Sequence, residues 1–286
     1  VWWHLLAQQG PEQFGPSSFI DELARTPLSK VIEFVAVCSV LRIALAPILF
    51  RTPVHLRGFW YKAGGFINEA LDAIVYAGVF VFLLIRPFGV QAFQIPSGSM
   101  NDTLQENDFI VANKAIFRYT DPKPNDIVVF RPPLYAVTPK DIDSDGEVKV
   151  DFIKRTIGTP GDLIEIKSGI VYRNGVAQQE PFTRERSDVD FKLVYYKGEY
   201  WPLAMTGSGV NEGENTAPHF RLQDQREMAY VRELPAARIP KNHFLMMGDN
   251  RNQSFDGRFW GLIDRDEVIG RSEFIWFPVG RWRITR

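Results

Sequence analysis

The sequence has one cysteine, Cys38, and it lies in an apolar run. No disulfide can form within the chain, and the paired-thiol motifs of zinc ribbons and thiol oxidoreductases are excluded. Histidine is nearly as scarce. His4, His55, His219 and His243 are widely separated and form no HExxH pair, which argues against a zinc peptidase. No cluster of one charge sign stands out. Formal net charge is −1 and the lysines and arginines are scattered, so the electrostatic footprint of a nucleic-acid binder is missing. Internal repeats and low-complexity tracts are also absent. What is there, 45% hydrophobic and 23% charged residues over 286 positions, is ordinary for a folded chain with room for one substantial domain and more.

Two apolar runs organise the first third. Residues 1–30 form a tail without clear periodicity. The run 31–50 contains Glu33 and Arg42, nine positions apart, and reads either as a membrane span or as an interfacial helix. A linker over 51–69 carries Arg51, Arg57 and Lys62. The run 70–90 is nearly free of charge from Ala73 to Ile85 and reads as a transmembrane helix, with a buried core helix as the alternative. The basic linker places 51–69 in the cytoplasm and everything after Val90 on the far side of the membrane. Neither run has the small-x-small site that follows the short apolar core of a removable leader.

From Phe93 onward the pattern changes to short strand-like runs bounded by Pro, Gly, Asn and Asp, with Asn174-Gly175 reading as a hairpin turn. This predicts a mainly β domain over 91–286, with a more polar inserted lobe over 178–239 and no long helix. Asp141 to Gly146 imitates the start of a calcium loop, but Phe152 stands at the twelfth position, so a solvated turn is the better reading.

Three stretches could carry chemistry. In Gln94-Ile-Pro-Ser-Gly-Ser-Met100, Pro96 fixes one φ and Gly98 lets the backbone pass close to another group. A serine in such a turn is either a nucleophile or a hydroxyl bonded to its own backbone. In the run 151–162, alternation puts Phe152 and Lys154 on one face and Ile153 and Arg155 on the other, so one basic side chain should point inward. Burial lowers an amine's pKa and makes it a proton acceptor for a serine, whereas an ordinary lysine extends its head to water. In the run 246–258, Ser254, Asp256 and Arg258 share one face if the segment is extended. Its plain alternative is a polar loop of turn formers.

Taken together, a membrane helix followed by IPSGSM, FIKRTIGTPGD and GDNRNQSFDGR resembles the type I signal peptidase family, membrane-bound serine proteases that remove signal peptides from exported proteins. The resemblance covers 70–90 and most of 91–286. It implies Ser99 as nucleophile, Lys154 as general base, Ser97 with the Ser99 N–H as oxyanion hole, Ser254 as the residue that positions the lysine, and Asp256–Arg258 as a structural ion pair. Phe93, Ile95, Pro96, Met100, Leu104, Phe152 and Ile153 match positions lining the pockets for small substrate side chains. No metal or cofactor is implied. Signal peptides and the bilayer are the implied partners, with the secretion translocon as a further one. The implied location is the bacterial cytoplasmic membrane, with the catalytic domain on its outer side. Departures are Asp102 where a proline is frequent, Phe152 for tyrosine, and Asn252-Gln253 for Asp-Asn.

Near the end, Trp276, Phe277 and Trp282 read either as bilayer contacts or, for the first two, as core. Two other functions compete. A self-cleaving repressor-type Ser/Lys protease would need a DNA-binding module and a cleavage segment, and neither is evident. A catalytically dead β module that binds export machinery or peptides is opposed by the intact Ser99, Lys154 and Ser254.

Overall fold

The computed structural model describes residues 28–53, 57–80, 89–206, 217–222 and 224–285. Most of the N-terminal tail, residues 81–88 of the expected second span and residues 207–216 of the expected insertion lie outside the described residues. The chain divides into two units, Val1–Gln91 and Ala92–Arg286.

In the first unit, helices α1 (Leu28–Arg51) and α2 (Phe59–Gly78) pack against each other. A Cβ on Gly78 would come within 2.9 Å of Val35 Cγ2, so the small residue permits close approach of the helices. Arg42 of α1, an isolated charge in the sequence, finds Asp72 of α2 at 2.5 Å. The pair cancels a charge that the apolar run could not accommodate alone. Helix α2 begins well inside the stretch read as a linker, which shortens the connection to 52–58. Gly64, Gly65 and Lys62 disguised this helical start. Phe34, Ile43, Trp60 and Phe66 remain exposed. Among the described residues, no helix is long and apolar enough to cross a membrane.

The second unit is mainly β. Its strands are β1 (Val90–Gln94), β2 (Phe109–Asn113), β3 (Ile127–Phe130), β4 (Phe152–Gly158), β5 (Ile164–Lys167), β6 (Ile170–Arg173) and β7 (Val176–Ala177). They continue as β8 (Asp190–Tyr196), β9 (Glu199–Met205), β10 (His243–Met247), β11 (Ile263–Asp264), β12 (Val268–Phe277) and β13 (Arg283–Ile284). An eight-stranded sheet runs β1-β2-β12-β3-β4-β10-β11, with β13 beside β12, and a five-stranded sheet runs β7-β6-β5-β8-β9. The small sheet is closed by two-residue turns at Ser168-Gly169, Asn174-Gly175 and Lys197-Gly198, all with positive φ at both residues. That is the twist an antiparallel hairpin prefers.

The lobe boundary differs from the expected 178–239. The small sheet starts at Ile164, before the polar composition begins, and its last strand ends at Met205. A nine-residue helix, α3 (Gln225–Glu233), follows where no helix was expected. Only Met228 and Val231 face the core from it, too few to give a period in the sequence. Asp224 caps its start by accepting from the Arg226 N–H, and Lys192 Nζ donates to the Arg232 and Leu234 carbonyls at its end. The calcium-loop imitation is a turn closed on itself, with Asp143 Oδ1 accepting the Asp145 and Glu147 N–H groups.

Strand β4 is interior. It pairs with β3 on one side (Val128 opposite Lys154) and β10 on the other (Met247 opposite Arg155). One core cluster joins the sheets, bringing Val128 and Phe130 together with Val194, Leu203 and Trp260. The two sheets therefore share a core. Trp260, on the short helix α4 (Gly257–Trp260), has no exposed surface, and its ring lies 5.9 Å from Phe130. Trp260→Ala is expected to cost about 3–5 kcal/mol. Urea unfolding followed by circular dichroism and by amide exchange in β8 and β9 should show one weakened, coincident transition.

Candidate active site

The nucleophile turn is built by its own composition. After β1, Pro96 and Ser97 are extended and exposed, and Gly98–Met100 closes a 3-10 turn in which the Asn101 N–H donates to the Gly98 carbonyl. Met100 is anchored in a cluster with Ile95, Leu104 and Ile153, so Ser99 sits at the edge of a packed core with 9% of its surface exposed.

Ser99 Oγ lies 2.8 Å from Lys154 Nζ. Lys154 is 6% exposed, and burial pushes its amine down to about 8, against the opposing pull of Asp256 and Asp249. Its Nζ also donates to the Ile153 carbonyl at 3.2 Å and faces the Phe152 ring at 5.4 Å. Ser97 Oγ donates to Ser99 Oγ at 3.3 Å. A neutral amine held by one carbonyl can turn its lone pair to the serine hydroxyl, and this is the arrangement a general base needs.

The expectation that only one basic residue of the pair points inward is corrected: Arg155 is 5% exposed. Strand β4 is covered on both faces as well as paired on both edges, so alternation buries both side chains. Arg155 is matched by Asp249, itself fully buried, through bonds of 2.8 and 2.6 Å. It also donates to the Asn125 carbonyl at 2.8 Å and stacks on Phe182 at 3.9 Å. Thr103 Oγ1 donates to the same Asp249 at 2.5 Å. One carboxylate thus ties together the turn after Ser99, strand β4 and the loop after β10.

Of the two readings of that loop, extended or a polar run of turn formers, the structure has the second. Arg251–Gln253 is a 3-10 turn and Gly257–Trp260 a helical one. The Asp256–Arg258 pair forms nonetheless at 2.8 Å, with both side chains fully buried. Burial alone would raise the Asp256 carboxyl, but the Arg258 guanidinium and the Gly248 N–H hold it below the usual carboxylate range. Ser254 Oγ is buried and forms no hydrogen bond of good geometry, although it lies close enough to Asp256 to help hold that carboxyl down. Its expected bond to Lys154 is not formed. Gly248 is required by contact: a Cβ there would lie 2.2 Å from Ser254 Oγ and 2.5 Å from the Ser99 carbonyl oxygen.

A strap from the small lobe, absent from the sequence reading, braces this loop. Glu180 binds Arg251 through two bonds of 2.6 Å, Ser187 Oγ accepts from Arg258 at 2.8 Å, and Asn252 bonds the backbone of Arg186 and Asp188. Asp102, the charge that replaces a proline, is held by Arg184 of the same strap at 3.0 Å. No periodicity marks such a strap. The only clue lay in the arginines of 246–258, which need carboxylates if buried.

Among the expected pocket residues, Ile95, Met100, Leu104 and Ile153 belong with Phe93 to one cluster. Phe152 lies on the opposite face, packed against the shared core, and Pro96 is exposed. At the chain's end Trp276 is half-buried, with its ring 5.7 Å from Phe109, while Phe277, Val279, Trp282 and Ile284 are exposed.

Comparison with known proteins decides the family. Residues 67–277 match the family model described as signal peptidase, peptidase S26. The chain belongs to the signal peptidase family. The probable signal peptidase I-1 of Synechocystis is 32% identical over 76% of this chain and 86% of its own length. Signal peptidase IB of Staphylococcus aureus is 28% identical over 76% of this chain and 93% of its own, and signal peptidase I of Pseudomonas aeruginosa 28% over 69% and 68%. The family match falls on the stretch that carries Ser99, Lys154 and the loop after β10. Identity of 28–32% to signal peptidases I over most of the chain marks it as a signal peptidase I enzyme.

Two outcomes are expected. Folded Lys154 titrates near 8 and the unfolded side chain near 10.5, so the unfolded chain binds the extra proton between these values and stability rises with pH across that window. Below it the buried ammonium costs about 3 kcal/mol. If Lys154 is the general base, Lys154→Met should be inactive. It should nevertheless be more stable than wild type at neutral pH by about 1 kcal/mol, after loss of the two hydrogen bonds to Ser99 and the Ile153 carbonyl. The gain should fade toward pH 10.5, measured by urea titrations at several pH values. Glu180→Ala leaves the Arg251 guanidinium buried without its carboxylate and is expected to destabilise by about 3–5 kcal/mol. A thermal melt checks this, and an unchanged melting temperature would refute the bracing role.

Proposed function

We propose that this signal peptidase cleaves exported preproteins after a small-x-small site with Ser99 as nucleophile and Lys154 as general base. The observation that carries this reading is the 2.8 Å contact between Ser99 Oγ and a buried lysine amine with its pKa lowered to about 8. Neutral Lys154 takes the hydroxyl proton as Ser99 Oγ attacks the carbonyl carbon of the scissile bond. The tetrahedral oxyanion accepts from the Ser97 hydroxyl and the Ser99 N–H, donors standing where the charge develops. The Lys154 ammonium then gives its proton to the leaving amine, and the neutral lysine activates the water that hydrolyses the acyl-enzyme. Ser254, whose buried hydroxyl lies beside Asp256 without a well-formed hydrogen bond, serves to orient the amine once a substrate is bound.

Several features support the rest of the assignment. The cluster of Phe93, Ile95, Met100, Leu104 and Ile153 backs pockets that accept small side chains, with Pro96 and Phe152 at the margins. The exposed apolar group of Phe277, Val279, Trp282 and Ile284 suits contact with a bilayer, where signal peptides lie. The apolar faces of α1 and α2 suit a membrane anchor, with the catalytic unit on the outer side of the bacterial cytoplasmic membrane.

In detergent, wild type should cut a model preprotein after a small-x-small site, and Ser99→Ala and Lys154→Ala should not. The wild-type rate should fall as pH drops below about 8, because the ammonium cannot accept a proton. Cleavage by both variants, or a flat rate from about pH 9 to about pH 5, would remove the dyad.

A further inference from the structure

We infer that Asn250 is a positioning residue for the oxyanion hole: its side-chain amide fixes the peptide plane that presents the Ser99 N–H. The inference rests on the Ser99–Lys154 reading and deepens it. Asn250 Nδ2 donates to the Gly98 carbonyl at 3.1 Å, and the Asn250 backbone N–H donates to the Ser99 carbonyl at 3.1 Å. One residue of the loop after β10 thus holds two successive carbonyls of the nucleophile turn.

The geometry of a trans peptide gives this grip its consequence. Gly98 C=O and Ser99 N–H belong to the same planar unit and point in opposite directions. Pinning the carbonyl toward Asn250 aims the N–H away from it. The turn makes no use of that N–H, because its closing bond runs from the Asn101 N–H to the Gly98 carbonyl. The carbonyl accepts from both sides, so rotation of the plane breaks two bonds at once. Ser97 Oγ, the second donor, is 3.3 Å from the nucleophilic oxygen on the same turn.

Asn250 is itself held. Its amide nitrogen also donates to Gln253 Oε1 at 3.1 Å, and the Gln253 N–H donates back to the Asn250 carbonyl at 3.1 Å. The amide orientation is thus set within the loop and does not depend on the nucleophile turn. An aspartate of nearly the same shape has no donor there and would face the Gly98 carbonyl with like partial charge. Nothing in the chemistry requires Asn250 to touch the substrate or exchange a proton.

The experiment compares wild type with Asn250→Asp, Asn250→Ala and Gln253→Ala on one model preprotein in detergent, with kcat, KM and the pH profile measured for each. Loss of orientation, with the N–H still present, should cost less than deletion of a donor: a fall in kcat of about 10–100-fold for the first two variants. KM should stay within about twofold, since ground-state binding is untouched. The pH midpoint set by Lys154 should not move. Gln253→Ala should show the same signature, at several-fold. Thermal melts identify any variant that fails to fold, and Asn250→Asp with Gln253→Ala then decides the matter without Asn250→Ala. A kcat within about twofold of wild type in folded Asn250→Asp overturns the inference, as does a shifted pH midpoint, which would place the defect in the dyad. Ser99→Ala and Lys154→Ala in the same assay separate the two levels. If they still cleave, the dyad reading fails. If they are dead while the Asn250 variants keep full kcat, only the role of Asn250 fails.

Discussion

An ammonium group cannot be taken out of water cheaply, and the site follows from that constraint. Lys154 is enclosed by an interior strand, an aromatic ring and the nucleophile turn, so its charged form is disfavoured at the pH where it must act. A histidine would titrate lower without such enclosure, but His219 and His243, the two within the described residues, lie in segments away from the dyad. On the proposed mechanism, the chain uses burial to obtain a base from an amine. This requires the neighbouring carboxylates to be neutralised, because a free Asp256 or Asp249 would stabilise the ammonium and undo the effect. Arg258 and Arg155 meet that need.

The two arginine–aspartate pairs therefore do more than brace the backbone. Each carboxylate is matched by a guanidinium with paired hydrogen bonds, so its field at the lysine is reduced while its shape is fixed. Arg155 and Lys154 are adjacent on one strand in opposite settings, one paired with a carboxylate, the other with its pKa lowered by burial to about 8. Alternation along β4 sends them to opposite faces and keeps the two environments apart. Exchange of the two side chains would put a permanent cation at the serine.

How much of this was legible in the sequence depends on what kind of physics wrote it. The strand runs, the Asn174-Gly175 turn and the three motif stretches are local, and they stood out because turn residues and alternation act over a few positions. Burial of both Lys154 and Arg155 was not legible, since it follows from β4 having neighbours on each side and core on each face. The helical start at Phe59 was hidden by Gly64 and Gly65, residues of low helix propensity. The small sheet begins at Ile164, ahead of the polar stretch from 178. Its strands β5 and β6 are short and alternating like those of the main sheet, and composition does not mark which sheet a strand joins. Within the site, Ser99, Lys154 and the Asp256–Arg258 pair came from motif order. Glu180, Asp249 and Asn250 became visible only once distant segments were brought together.

The small lobe is thereby given a reason to share the core rather than hang from it. Its strap reaches the loop after β10 through Glu180, Ser187 and Asn252, and the nucleophile turn through Arg184 and Asp102. A loop built of a 3-10 turn and one helical turn has few backbone bonds of its own. Without outside contacts it would sample several conformations, and the Asn250 amide, the Asp256 carboxylate and the Ser254 hydroxyl would lose their aim together. Fixing these groups before substrate arrives removes reorganisation from the chemical step, which is where preorganised dipoles contribute most. Sequence changes in the strap can therefore alter turnover without any of its residues touching a peptide.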